Sequence, residues 1–86
     1  MKITSATELK TLMEELKNQN GECRGIDKNY KKYEIDIRAC KDGFDYYYTA
    51  EVRYRGDFVF ETKREIDNEA QLAKEINKAV DARVNW

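Results

Sequence analysis

Leu9, Leu12, Met13 and Leu16 recur at i, i+3, i+4 and i+7. That spacing lays one apolar stripe along an α-helix. Ser5-Ala6-Thr7-Glu8 precedes it with the spacing of a capping box. There, the hydroxyl accepts from the N–H three residues on and the carboxylate reaches back. Lys17 suits the negative helix end and Gly21 the left-handed position after it, so the pattern predicts a helix over 6–19. Residues 21–29, with two glycines and Asp27-Lys28-Asn29, read as a loop with a short extended piece around Cys23.

From Lys31 the period becomes two. Tyr33, Ile35, Ile37 and Ala39 alternate with Lys32, Glu34, Asp36 and Arg38, predicting a half-buried strand over 31–40. Asp42-Gly43 is a hairpin signal because a type I′ turn needs positive φ at both central residues. A second alternating run covers 44–55. With Asp42-Gly43 as the loop, Lys41 pairs with Phe44, Ala39 with Tyr46, Ile37 with Tyr48, Ile35 with Ala50 and Tyr33 with Val52. A slip by one residue would set each apolar side chain against a charge. Gly56 marks the next turn, and a three-residue loop there pairs Tyr54 with Phe58 and Val52 with Phe60 in a strand over 58–64. Leu72, Ala73, Ile76, Ala79 and Val80, extended by Val84, form a second helical stripe over 68–84, with Asp67 or Asn68 as cap.

The expected fold is therefore α+β in the order α-β-β-β-α. It is a three-stranded antiparallel meander with two helices packed on one face, all within a single domain spanning 1–86. Tyr33, Ile35, Ile37, Tyr48 and Val52 should share the covered face. The wet face should carry Lys32, Glu34, Asp36 and Arg38 from the first strand and Asp45, Tyr47, Thr49, Glu51 and Arg53 from the second. Val59, Glu61 and Lys63 should complete it from the third.

Composition narrows the chemistry. The chain has no histidine and no proline, and sixteen Lys+Arg against seventeen Asp+Glu give a net charge of −1. An imidazole base, a Ser-His or Cys-His nucleophile and a His-built zinc site are all excluded. Scattered glycines supply no phosphate-binding loop. An enzyme here would have to work with carboxylates alone and would need a cleft. The expectation is a non-enzymatic protein with no cofactor and no metal. No apolar run reaches membrane-spanning length, and no secretory core follows Met1. A cytoplasmic setting with Cys23 and Cys40 as reduced thiols is expected, and one disulfide stays open because a bridge needs a geometry that sequence does not supply. Arg55-Gly56-Asp57 spells an adhesion tripeptide, but a turn glycine accounts for it.

The α-β-β-β-α order resembles that of the double-stranded-RNA-binding domain, over roughly Glu8 to Val84. In that family the second helix opens with small and basic residues that grip phosphates. The matching stretch here is Glu65-Ile66-Asp67-Asn68-Glu69-Ala70-Gln71, with three carboxylates. Because phosphate neutralisation supplies most of such affinity, only the topology matches and no binding residue carries over.

Tyrosine, tryptophan and arginine dominate protein interfaces. Tyr30, Arg38, Tyr47, Arg53, Arg55 and Trp86 are accordingly the partner-facing candidates. The reading that follows is a small protein-binding module covering a site on a larger host or cognate protein. Small charged domains of this kind are frequent among phage and mobile-element inhibitors of host machinery, anti-CRISPR proteins among them. A nucleic-acid-binding domain is the alternative, and edge-to-edge pairing of the strand at 31–40 is a route to a homodimer.

Overall fold

A computed structural model of the chain describes residues 2–84, the side chains of 82–84 excepted. The elements are α1 (Ala6–Asn18), β1 (Cys23–Tyr30), β2 (Tyr33–Asp42), β3 (Asp45–Tyr54), β4 (Asp57–Glu65) and α2 (Glu69–Val84). The class is α+β as expected, but the sheet has four antiparallel strands in the order β1-β2-β3-β4. The extra strand is β1, in the stretch expected to be a loop.

β1 alternates cleanly, with Arg24, Ile26, Lys28 and Tyr30 half-buried and Cys23, Gly25, Asp27 and Asn29 exposed. Two of its four inward positions are therefore cations. Arg24 reaches Glu15 of α1 at 2.7 Å, and Lys28 reaches Glu8 at 2.7 Å. These pairs fasten β1 under the helix where a core strand would use aliphatic residues. With β1 at one edge and β4 at the other, β2 is interior. Edge pairing through residues 31–40 is thus ruled out in this sheet, because that strand is hydrogen-bonded on both sides.

The β2–β3 loop is Gly43-Phe44 rather than Asp42-Gly43, since Asp42 pairs with Asp45. Gly43 alone of the two central residues has positive φ (63°), the type II′ pattern. Ile37 consequently faces Ala50, and Ile35 faces Val52. The partner of every residue moves by two, so the faces are unchanged and only Phe44 is expelled, fully exposed at the tip. The β3–β4 loop is also two residues, Arg55 and Gly56, both at positive φ (52° and 86°). A bulge beside Val52 and Arg53 restores the expected pairing of Val52 with Phe60. Tyr54 faces Asp57, not Phe58, and Phe58 turns out beside Arg53, 55% exposed.

Both helices lie on one face. Leu9, Leu12, Met13 and Leu16 of α1 and Leu72, Ala73, Ile76 and Val80 of α2 close on Tyr33, Ile35, Ile37, Ala39, Tyr48, Ala50 and Val52. Ala79 is half-buried, and the side chain of Val84 lies outside the described residues. α1 ends in a Schellman motif: Gly21 N–H donates to Leu16 O and Asn20 N–H to Lys17 O. Asn20, at φ 52°, takes the left-handed position that had been expected of Gly21.

Before α1, Asn77 of α2 acts as a substitute strand. Its Oδ1 accepts from the N–H groups of Ile3 (2.7 Å) and Thr4 (3.1 Å), and its Nδ2 donates to Thr4 O (3.0 Å). The capping box is half-formed. Ser5 Oγ accepts from Glu8 N–H, while the Glu8 carboxylate accepts from Thr4 Oγ1 and Lys28 Nζ instead of turning back.

Candidate interaction face

The sheet face away from the helices is built of cross-strand rows. Cys23, Cys40, Tyr47 and Glu65 form the first, and Gly25, Arg38, Thr49 and Lys63 the second. Asp27, Asp36, Glu51 and Glu61 form the third, and Asn29, Glu34, Arg53 and Phe58 the fourth. The third row places one carboxylate on every strand of the sheet. Like charges directly opposite each other weaken a sheet.

Two of the four carboxylates are relieved along their own strands. Arg38 pairs with Asp36 at 3.4 Å and Arg53 with Glu51 at 2.8 Å. Those hydrogen bonds, and then the carboxylate charges, raise the pKa of both guanidinium groups. Among the described residues neither Asp27 nor Glu61 is reached by an ion pair. Taken together the four rows hold six carboxylates (Asp27, Glu34, Asp36, Glu51, Glu61, Glu65) against three cations (Arg38, Arg53, Lys63).

Shallow depressions mark this face among the described residues. One, about 310 Å³, is lined by Asp27, Asn29, Glu34, Asp36, Glu51 and Arg53, with Lys28 and Ile35 in its wall. A second, about 290 Å³, runs from Cys23 over Gly25 to Arg38 and Asp36. A third, also about 290 Å³, lies between Arg38, Thr49, Glu51 and Glu61. Gly25 leaves room for the second, since the Arg38 side chain passes 3.4 Å from where a Cβ would stand. Among the described residues no group of three or more Cys, Asp or Glu side chains is placed to hold a metal ion.

The six residues nominated from sequence divide. Arg38, Tyr47 and Arg53 come together on this face, with Lys63 4.3 Å above the Tyr47 ring. The neighbouring Cys40 thiol, by its charge when ionised, raises the Tyr47 phenol pKa. Tyr30 does not join them: it points to the helix side, half-buried against the core, with Lys31 over its ring at 5.4 Å. Arg55 sits in the β3–β4 turn over Tyr54, at 5.5 Å. Trp86 lies outside the described residues. Lys32 is in the β1–β2 turn and Val59 at the bulge against the core, so neither belongs to the wet face as expected.

Tyr46 and Tyr54 are half-buried on the core side. Tyr48 is fully buried, its one hydroxyl proton shared between Leu9 O (3.0 Å) and Glu69 Oε1 (3.2 Å). Sequence reading missed the places of Asp27 and Phe58 on this face and left the Cys23–Cys40 pairing open. The available signal was the odd–even alternation of 23–30, masked by Arg24 and Lys28 on the inward side.

No family model matches the chain, and neither the curated proteins nor the solved structures contain a match. Among the described residues no helix is long and apolar enough to cross a membrane.

Proposed function

We propose that this chain is a non-enzymatic binding module whose outer sheet face covers a cationic site on a larger protein. The row Asp27–Asp36–Glu51–Glu61 carries the reading. It contributes repulsion to the fold and nothing to the core, and a lysine- or arginine-rich partner surface would relieve it. Phe58, Tyr47, Arg38 and Arg53 stand in the adjacent rows. They are aromatic and arginine side chains of the kinds that anchor interfaces.

The same charge balance disfavours the alternative of duplex binding. A face with twice as many carboxylates as cations repels phosphate, and the first turn of α2, Glu69-Ala70-Gln71-Leu72, carries no basic residue. Inhibition of host machinery by a phage or mobile-element product is the narrower form of the proposal. It requires that the covered site be a working one.

The test is capture from a host lysate at low salt by wild type and by an Asp36→Lys/Glu51→Lys variant of unchanged circular dichroism. A stoichiometric protein held by wild type, lost in the variant and released as salt rises is the expected result. Equal capture by both, or retention of duplex RNA or DNA by wild type at low ionic strength, overturns it. Loss of the captured protein's own activity would establish the inhibitory form.

A further inference from the structure

Cys23 and Cys40 are free thiols directly opposite each other on β1 and β2, with Sγ atoms 2.6 Å apart. The pairing type matters. Lys41 N–H donates to Glu22 O at 2.8 Å, so Glu22 and Lys41 form the hydrogen-bonded pair at this end of the ladder. Hydrogen-bonded and non-hydrogen-bonded pairs alternate, which makes Cys23–Cys40 a non-hydrogen-bonded pair. In such pairs the Cα atoms approach to about 4.5 Å and the side chains lie closest, within the range a disulfide spans. No backbone movement is needed to join them. Cys23 is exposed while Cys40 is buried at 5% exposure.

We infer that Cys23 and Cys40 form a reversible dithiol–disulfide site, oxidised by thiol–disulfide exchange with a low-molecular-weight disulfide such as oxidised glutathione. The exposed Cys23 thiolate attacks one sulfur of that disulfide. A Cys23–glutathione bond forms, the glutathione S–S bond breaks, and one glutathione thiolate leaves with the electron pair. Cys40 then loses its proton to solvent and attacks the Cys23 sulfur. The Cys23–Cys40 bond forms and the second glutathione leaves. Two protein thiols are oxidised and one disulfide is reduced to two thiols.

Burial, followed by the hydrogen bond and charge of Cys23, pushes the Cys40 pKa up to about 11. A buried thiol raised this far is a poor first nucleophile, so the exposed Cys23 makes the first attack, and Cys40 follows because its sulfur already lies against that of Cys23. The bond would clamp the edge strand β1 to the interior strand β2, at one corner of the face described above. This site stands whether or not that face binds a protein.

The experiment exposes reduced full chain to oxidised glutathione at mildly alkaline pH, then reads intact mass, free thiols and melting temperature. Wild type should lose two hydrogen masses, fall from two free thiols to none and form no disulfide-linked dimer. Its melting temperature should rise by on the order of 10 °C, because the bridge joins residues 17 apart and so constrains the unfolded chain. Cys40→Ser should stop at one added glutathione, and Cys23→Ser should stay unmodified because its remaining thiol is buried. A wild type that keeps both thiols, that stops at the glutathione adduct, or that forms disulfide-linked dimers overturns the proposal. Such an outcome would leave the charge-reversal test of the binding face unaffected.

Discussion

Burial by itself would raise the pKa of Glu8, but the hydrogen bonds from Lys28 and Thr4 and the Lys28 charge outweigh it, and the net shift is downward. A carboxyl whose folded value is depressed gives the native state stability above its unfolded value, and that stability drains away as pH falls through the folded value. The ordinary value is 4.5, so the loss begins near there and continues below it. Wild type should therefore lose melting temperature more steeply between neutral pH and strong acid than Glu8→Gln, which cannot titrate at this position. Parallel curves would mean that the Lys28 contact contributes nothing. Tyr48 behaves in the opposite sense. Burial first, and the Glu69 charge second, raise its phenol, which stays neutral at any physiological pH with its one proton shared between Leu9 O and Glu69.

At the scale of elements, the β1–β2 hairpin explains what the sequence conceals. Its loop is Lys31-Lys32, and Lys31 holds φ 54° without the glycine or asparagine that such a turn favours. A side chain there costs roughly 1–2 kcal/mol in the left-handed region. Lys31→Gly should thus stabilise the chain by up to about 1 kcal/mol, after the added flexibility of glycine in the unfolded state is offset. Urea denaturation reads this, and a destabilised variant would contradict the strained-turn account. Missing turn chemistry, together with Arg24 and Lys28 on the inward side, left β1 without either of its usual signatures. Both helices, β2 and β3 were legible because their apolar residues keep period, and β4 from the Gly56 turn and the phenylalanines that follow it. The β2–β3 turn was misplaced by one position, yet parity preserved the core face. The bulge at Val59 was invisible in the pattern, and with it the outward turn of Phe58.

At the scale of the whole molecule, part of the candidate face could be read from the chain and part could not. Arg38, Tyr47 and Arg53 follow from alternation alone, as do Glu34, Asp36, Glu51 and Glu61. Their gathering into a row with Asp27 needs the fourth strand and the register, which the sequence withholds. The sheet visits its strands in chain order, so nearly all its pairing is between neighbours. The bracket from Asn77 to Ile3 and Thr4, by contrast, spans 73 to 74 residues. Contacts separated that far close late, because the intervening chain must be ordered first. Asn77→Ala should leave the refolding rate nearly unchanged and quicken unfolding by roughly tenfold, if about 1.4 kcal/mol of late-forming hydrogen bonding is lost. Stopped-flow kinetics in urea would separate the two limbs. A variant that refolds slowly would instead make this bracket part of the nucleus, and the hairpins would then zip onto an end already fastened.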